Sequence, residues 1–426
     1  MEMMKVIREK IQVKIENLTR KQEFLVLSIF PTYFFVAGLL VQPLDEILEG
    51  ILTIIAEPDV LITDYVEIGG PGAALVNASL VTYVCLEIIY LLDMEITGTT
   101  LTSLCLMMGF SLFGKNIINI WAILLGVGLY AHYHKESLSH YIYIAFYGTS
   151  LSPVVTQVVQ YDQLSAGWNL ILGVFVSIVI GFVLPPLSVH LYHTHQGYCL
   201  YNVGFAAGII ATVIASVFQS FGMESVTRTI WAEGYNRLFL IILMGLFLIL
   251  IISGLLLEEH PFARYRDILK HTGISGTDYI MEEGTGATFL NMGIDGIFAT
   301  LFVIAVGADL NGPTIGGILT IVGFSATGKH LRNIVPVMLG VLLASFAGIW
   351  NITDPGAILA ALFCTTLAPI AGEYGIFWGI VAGFLHASVA QNVSSICGGM
   401  NLYNNGFAGG IVAAFLVPVI RSIRKR

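Results

Sequence analysis

Residues 63–77 have the sequence TDYVEIGGPGAALVN, and residues 277–291 have the sequence TDYIMEEGTGATFLN. Both stretches open with Thr-Asp-Tyr and close with asparagine, and they match at one offset of 214 residues (77 to 291). The same offset relates three further pairs: Gly98 and Gly312, Thr100 and Thr314, and Lys115 and Lys329. Self-similarity at a fixed spacing indicates an internal duplication, and the two copies decide the fold.

Towards the end of each copy the spacing becomes shorter. Leu-Tyr-Asn occurs at 200–202 and again at 402–404, an offset of 202 residues. The first copy therefore contains twelve more residues than the second, and the matching segments place them near 157–168.

The composition indicates whether this chain is surrounded by water or by lipid. Of its 426 residues, 56% are hydrophobic and 11% are charged, and the mean hydropathy is +0.83. A water-soluble globule needs more polar surface than this, so the sequence predicts an integral membrane protein whose main partner is the lipid bilayer. The net charge of −9 says little about partners because the acids are concentrated in a few loops, but nothing in the sequence resembles a basic nucleic-acid surface, so no nucleic-acid partner is expected. The five cysteines have no CxxC spacing, which argues against a disulfide framework and a zinc site.

Apolar runs predict an all-α polytopic protein with seven membrane segments in each copy. They cover 24–42, 72–93, 97–113, 117–133, 138–157, 168–190 and 202–221, then 238–257, 286–307, 312–327, 331–350, 355–371, 374–392 and 404–420. Several are shorter than a span of about 20 residues. Runs 97–113 and 312–327 are therefore expected to be broken or re-entrant helices.

The distribution of charge predicts opposite topology for the two copies. The loop after the first segment is acidic, whereas its counterpart contains Arg264, Arg266 and Lys270. Because basic loops stay in the cytoplasm, the copies should be inverted repeats, with both termini cytoplasmic, in a bacterial cytoplasmic (inner) membrane. The expected domains are a cytoplasmic amphipathic helix over 1–22, membrane repeat 1 over 23–222, an extracytoplasmic linker over 223–236 and membrane repeat 2 over 237–426.

Inverted repeats with discontinuous helices are typical of secondary transporters and some channels, with the solute between the copies. The expected solute is a small polar or anionic molecule, and the protein is compatible with a homo-oligomer. Buried amides either bridge helices or bind the solute, and the lysines either extend to the headgroups or attract an anion. The candidate binding residues are Asn77, Asn291, Gly98, Gly312, Thr100, Thr314, Asn202, Asn404, Lys115 and Lys329.

Three acids interrupt apolar runs and have no acidic counterpart in the other copy: Glu87, Asp295 and Glu373. A carboxylate inside a membrane segment is a functional candidate, because holding it ionised in lipid is costly. Asp295 is the first candidate for ion coupling because it follows Asn291 by one helical turn, and Glu373 is the second.

Metal and enzyme chemistry find little support in the sequence. His190, His193 and His195 form a cluster, but the matching residues of the second copy are Asn392, Ser395 and Cys397, so a polar loop is the preferred interpretation. No phosphate loop, G-x-S-x-G or HExxH motif occurs, so neither a metal site nor an enzyme is predicted.

Three resemblances follow from these motifs. The paired Gly-x-Gly-Ala-x3-Asn and Gly-Phe-Ser-x2-Gly-Lys-x3-Asn blocks resemble an uncharacterised bacterial membrane family known as a two-copy domain of unknown function. Phe289-Leu290-Asn291 and Leu402-Tyr403-Asn404 are similar to segments of urea transporters, which implies the same inverted-repeat plan for a small polar solute.

The third resemblance concerns residues 283–288, Glu-Gly-Thr-Gly-Ala-Thr. They are similar to the signature on which membrane subunits of sodium-pumping electron-transfer complexes carry a phosphoester-linked flavin. The resemblance implies Thr288 as the attachment point, while a helix N-cap explains the same residues without any cofactor. The alternatives to a transporter without a cofactor are thus a flavin-carrying electron-transfer subunit and a structural subunit of a membrane complex.

Overall fold

The computed structural model describes residues 19–60, 62–159, 165–223, 228–348, 350–399, 402 and 404–424. Most of the helix expected over 1–22 lies outside these residues. The described chain is helical almost throughout, which confirms an all-α polytopic membrane protein.

The helices of the first copy follow the predicted order. They are α1 (Arg20–Leu27), α2 (Ile29–Val41), α3 (Leu44–Ala56), α4 (Tyr65–Leu91), α5 (Gly98–Phe110), α6 (Trp121–His134), α7 (Ile142–Gly148), α8 (Pro153–Val159), α9 (Ala166–His195) and α10 (Asn202–Ser220). A 3-10 turn, Thr149–Leu151, joins α7 to α8, so that one bent span covers Ile142–Val159.

The second copy repeats this order. Its helices are α11 (Asn236–Leu257), α12 (Pro261–Ile268), α13 (Tyr279–Glu283), α14 (Thr285–Ala305), α15 (Gly312–Phe324), α16 (Leu331–Ala347), α17 (Pro355–Phe363), α18 (Ala368–Tyr374), α19 (Ile376–Ile396) and α20 (Asn404–Arg424). The 3-10 turn Cys364–Leu367 joins α17 to α18, at the place of the corresponding turn in the first copy.

Within the described residues, ten helices are long and apolar enough to cross a membrane. Many of their large apolar side chains point outwards, as Leu40 (81% exposed) and Ile241 (64% exposed) do. Outward-facing apolar side chains on long helices are the expected surface of a protein solvated by lipid. The helices α5, α15 and α16 are apolar but shorter.

A glycine with positive φ bends the chain at one matching place in each copy. Gly70 (φ 84°) kinks α4, and Gly284 (φ 91°) separates α13 from α14. This region of backbone conformation strains residues with a Cβ, which explains why both copies have glycine there.

The last helices of the copies, α10 and α20, pack against each other in a symmetric way. Phe205 and Phe407 stack with ring centroids 6.2 Å apart. A Cβ added to Gly208 would lie 2.3 Å from Phe407, and one added to Gly410 would lie 2.2 Å from Phe205. Each phenylalanine thus lies over the other copy's glycine, which is the contact expected across a pseudo-twofold axis.

Two short strands connect loops of the two halves. The strands β1 (Ile62–Thr63) and β2 (Thr229–Ile230) pair in parallel, with Ile62 opposite Thr229. This pairing holds the segment before α4 beside the segment before α11.

Candidate functional site

Two short buried helices occupy the centre of the molecule. We call α5 and α15 the half-helices, since their 13 residues extend about 20 Å at ~1.5 Å per residue, against a hydrocarbon core of roughly 30 Å. Every residue of α15 is buried, and so is every residue of α5 except Thr99. Such burial on all sides is typical of helices enclosed by protein rather than lipid.

The half-helices lie antiparallel and in close contact. A Cβ on Gly98, at the start of α5, would lie 2.5 Å from the Ala326 carbonyl oxygen just beyond the end of α15. A Cβ on Gly312, at the start of α15, would lie 2.4 Å from the Leu112 carbonyl oxygen just beyond the end of α5. Both glycines are candidate solute-binding residues by sequence, and in the structure both allow close packing of the two copies.

Each half-helix begins at a carboxylate that belongs to the other copy. Asp278 Oδ2 accepts a hydrogen bond from Gly98 N at 2.8 Å, and Asp64 Oδ1 accepts one from Gly312 N at 3.2 Å. Both aspartates also cap the helix that follows them, through Ile280 N and Val66 N. A carboxylate at a helix N-terminus is favourable because it meets unpaired N–H groups and the positive end of the dipole.

We call this pair of contacts the crossed caps, formed by Asp64 and Asp278. These aspartates are not among the candidate residues predicted from the sequence, although both lie in the repeated Thr-Asp-Tyr element. Their repetition at one offset was the available signal. The amides of Gly98 and Gly312 are already hydrogen-bonded to these carboxylates, so the caps satisfy donors that a solute was expected to meet.

The two asparagines of the repeated motif make the same contacts in both copies. Asn77 Nδ2 donates to the carbonyl oxygens of Ser111 (2.7 Å) and Lys115 (2.9 Å). Asn291 Nδ2 donates to those of Ser325 (2.8 Å) and Lys329 (2.8 Å). Both amide nitrogens therefore bond to the backbone, whereas the amide oxygens of both side chains are buried and have no hydrogen-bond partner among the described residues. The asparagines fasten the first turn, residues 111–115, and the second turn, residues 325–329, each of which follows a half-helix.

Both lysines of these turns are fully buried and therefore do not extend to the membrane surface. Lys115 Nζ lies 3.4 Å from the Phe146 carbonyl oxygen and 5.1 Å from the centre of the Phe110 ring. Lys329 Nζ donates to the hydroxyls of Tyr201 (2.5 Å) and Thr365 (2.8 Å).

Thr100 and Thr314 have corresponding positions in the half-helices. Thr100 Oγ1 donates to the Glu95 carbonyl oxygen at 3.2 Å, and Thr314 Oγ1 donates to that of Asp309 at 2.8 Å. The two hydroxyls therefore hold the loops that precede the half-helices.

The second turn is more polar than the first. Asp295 is fully buried, and its Oδ2 accepts a hydrogen bond from Ser325 Oγ at 2.6 Å. At the offset of 214 residues, the first copy has Val81 and Ser111. The carboxylate thus breaks the symmetry of two otherwise similar turns. The other two acids lie elsewhere: Glu87 is exposed on α4, and Glu373 is exposed at the end of α18.

A polar cavity of about 270 Å³ opens beside the second turn, between the two copies. Hydroxyl and amide side chains from both copies line it, together with the carboxylate of a crossed cap: Thr99, Thr102, Asn202, Ser275, Asp278 and Thr327. Thr102 Oγ1 also bonds the Gly323 carbonyl oxygen at 2.8 Å, which ties the half-helices together at the cavity wall.

Two predicted residues lie at the starts of the last helices. Asn202 lines the cavity, and its side chain bonds His195 Nε2 at 2.9 Å and the Ser188 carbonyl oxygen at 2.9 Å. Asn404 is buried at the start of α20. The second turn, which contains Lys329, thus lies beside the cavity and close to two more of the predicted residues, Asn202 and Asp295.

The structure also describes the residues considered for a flavin and for a metal. Thr288 is fully buried, and its hydroxyl donates to the Gly284 carbonyl oxygen at 2.8 Å. A phosphoester-linked flavin does not fit on this side chain. Within the described residues, no group of three histidine, cysteine, aspartate or glutamate side chains is arranged to hold a metal ion.

Comparison with known proteins gives one family. No curated protein and no solved structure matches the chain. A family profile matches residues 44–220 and again residues 257–422, which together make up most of the chain. The two matched stretches coincide with the duplicated copies described above. The chain therefore belongs to the family described as protein of unknown function (DUF1576).

Proposed function

We propose that the protein is a membrane transporter or channel, and that a small polar or anionic solute passes between its two copies. The observation that carries this proposal is the polar cavity at the junction of the antiparallel half-helices. Short helices that meet near the centre of inverted repeats are typical of solute pathways.

The chemistry of the cavity favours a solute that both donates and accepts hydrogen bonds. Hydroxyl groups can do either, and the side chains of Thr99 and Thr327 line the cavity. Polar groups placed in an apolar protein are costly unless they find partners, so threonine side chains at a cavity wall favour a polar occupant. The volume of about 270 Å³ suits a small molecule.

Lys329 gives the pathway an attraction for anions. Its ammonium group bonds the hydroxyl of Tyr201, and Tyr201 lines the cavity. In its protonated form, this lysine would raise the local concentration of an anionic solute beside the cavity. Asp295 of α14 accepts a hydrogen bond from the hydroxyl of Ser325, which lies in the same turn as Lys329. Asp295 is the proposed coupling carboxylate for a proton or sodium ion.

The proposed setting is the cytoplasmic membrane of a bacterium, with both termini in the cytoplasm and the copies inverted. The contacts between Asp278 and Gly98, and between Asp64 and Gly312, agree with this topology. They join loops that the charge distribution assigns to the same side of the membrane. Association into a homo-oligomer is part of the same proposal, as it is in many membrane proteins built in this way.

Flux through purified protein in liposomes tests the proposal. The vesicles are shifted into solutions of urea, glycerol, acetate or nitrate, and stopped-flow light scattering records their volume. We expect faster entry of at least one solute than in protein-free vesicles. Thr99→Val and Thr327→Val should each slow that entry, because valine keeps the shape of threonine but offers the solute no hydrogen bond.

Thr300→Val is the matched control, since Thr300 is buried and donates to the Gly296 carbonyl oxygen in α14, outside the cavity. It should leave the flux unchanged. Equal permeability of vesicles with and without protein for all four solutes would favour a structural subunit instead.

A further inference from the structure

A second pocket, of about 350 Å³, lies at the surface of the second copy. It is formed where the end of α12, the start of α16, the junction of α18 with α19 and the end of α20 meet. Three side chains that line it are cationic and one is anionic: Lys270, Arg332, Arg424 and Glu373. The pocket is separate from the polar cavity between the copies.

The two arginines retain most of their donors for a ligand. Arg332 donates to the Leu269 carbonyl oxygen at 3.4 Å, and Arg424 donates to that of Tyr374 at 2.7 Å. Neither arginine forms an ion pair with the described part of the chain, and both are exposed. A guanidinium group has five N–H donors, so each arginine can still bind an anion.

The nearby carboxylates already contact other side chains of the protein. Asp267 pairs with Lys270 at 2.6 Å. Glu282 and Glu283 both face His271, at 3.4 Å and 2.8 Å. Among the described residues, Glu373 is the one acid that lines the pocket itself, so these side chains give an excess of positive charge around Arg332 and Arg424.

The start of α19 adds to this field. Gly375 has φ 94° and turns the chain sharply between α18 and α19, and a Cβ placed on it would meet nothing within 4 Å. The N-terminus of the 21-residue α19 therefore lies at the pocket wall without a side chain in front of Gly375. Helix N-termini favour anions because their first N–H groups and their dipole point outwards.

The pocket adjoins the apolar surface of the molecule. Ile376 lines it, and both Ile376 and Phe377 are 66% exposed at the start of α19. An anion held by the arginines would thus lie beside a surface suited to acyl chains. We propose that this pocket binds the phosphate of an anionic phospholipid, with the acyl chains lying along Ile376 and Phe377.

The first copy lacks the basic residues that line this pocket. At the offsets of the duplication, Ala56 corresponds to Lys270, Ile118 to Arg332 and Gly222 to Arg424. A lipid bound in this way would therefore belong to one leaflet only, the one that the basic loop of the second copy faces.

Native mass spectrometry of the detergent-purified protein tests the proposal, with phosphatidylglycerol or phosphatidylcholine added in increasing amounts. We expect preferential binding of phosphatidylglycerol. Arg332→Gln should weaken it roughly fivefold, and Arg332→Lys should retain more of it, since basic groups near an anionic lipid contribute comparably. Glu373→Gln should strengthen it by removing a repelling charge.

Arg266→Gln is the matched control, because Arg266 is an exposed arginine of α12 that does not line the pocket. An equal loss of lipid in this variant would overturn the proposal, as would equal binding of the two lipids. Arg424→Gln is informative only beside Arg332→Gln, since Arg424 also lies over the Tyr374 ring at 5.1 Å. Displacement of phosphatidylglycerol by inorganic phosphate, in proportion to its concentration, would assign the pocket to a soluble anion instead.

Discussion

Asp295 lies at a position where the two copies have residues of different character. Its counterpart Val81 is apolar, although the turns that face the two residues both contain serine, at positions 325 and 111. Burial of a carboxylate is costly, and the hydrogen bond from Ser325 offsets only part of that cost. The proposed role in ion binding would account for an acid at such a position.

Asp295→Asn should separate exchange from accumulation. The amide oxygen can still accept the hydroxyl of Ser325, so the fold should persist, whereas the charge is lost. If Asp295 binds the coupling ion, the variant should exchange solute across liposomes but no longer concentrate it along an ion gradient. Counterflow and gradient-driven uptake of labelled solute are the measurements.

Glu87→Gln is the control for this variant, because Glu87 is an exposed acid on α4. It should behave like the wild type in both assays. Accumulation that survives in Asp295→Asn would make the carboxylate structural and would favour a passive channel.

At the scale of the helices, the crossed caps are the contacts that join the copies most specifically. Each aspartate accepts hydrogen bonds from the backbone of both copies, so the start of each half-helix depends on a residue far away in the sequence. A half-helix of 13 residues has few turns, and an uncapped first turn is a large fraction of it.

Asp278→Ala and Asp64→Ala should each destabilise the protein by about 2 kcal/mol, the sum expected for a lost N-cap and further charge-assisted hydrogen bonds. The loss should be larger for Asp64, because Asp64 is fully buried and also accepts a hydrogen bond from Ala232 N at 3.0 Å, whereas Asp278 is partly exposed. Thermal unfolding in detergent, followed by tryptophan fluorescence, measures the effect. Asp45→Ala, which removes an exposed acid from the first turn of α3, should change the midpoint much less.

The contact between α10 and α20 makes a second prediction at this scale. Gly208→Ala should destabilise the protein by about 1–3 kcal/mol, because the added methyl group would lie 2.3 Å from Phe407. Gly128→Ala is the control, since nothing lies within 4 Å of a Cβ at that helical position. Equal unfolding midpoints for the two variants would contradict the close packing of α10 against α20.

At the scale of the whole molecule, inverted topology is the central prediction. Single cysteines at Asp45 and Arg266, both exposed, should react with an impermeant maleimide from opposite sides of the membrane. The five native cysteines are buried, so the background should be low without their removal. Modification of both introduced cysteines by reagent added outside intact cells would contradict an inverted arrangement.

Much of this architecture was predictable from the sequence, because hydrophobic segments and repeat offsets are properties of the chain itself. Each predicted membrane run corresponds to a helix or a pair of joined helices in the structure. The contacts of the candidate site were harder to predict from the sequence. Asn77 and Asn291 were selected as buried amides, but their carbonyl partners lie in turns whose geometry depends on packing between helices.

The contacts of Asp64 and Asp278 were even harder to predict from the sequence. Their local sequence predicts an ordinary N-cap, and only the antiparallel contact of the half-helices brings a second helix start to each carboxylate. The cavity beside the second turn likewise combines residues from both copies, which no single segment of sequence reveals.

The crossed caps also constrain how the protein is made. The amide of Gly98 cannot form its hydrogen bond until Asp278 has been synthesised, 180 residues later. At about 5–20 residues per second, synthesis of those residues takes roughly 10–40 s. Asp64 in turn meets Gly312 after 248 residues. During that interval the first copy is in the membrane without the hydrogen bond from Gly98 N to Asp278, so its half-helix is capped only after the second copy has been made. Cells that produce only the first copy should therefore degrade it, and supplying the second copy as a separate chain should restore it.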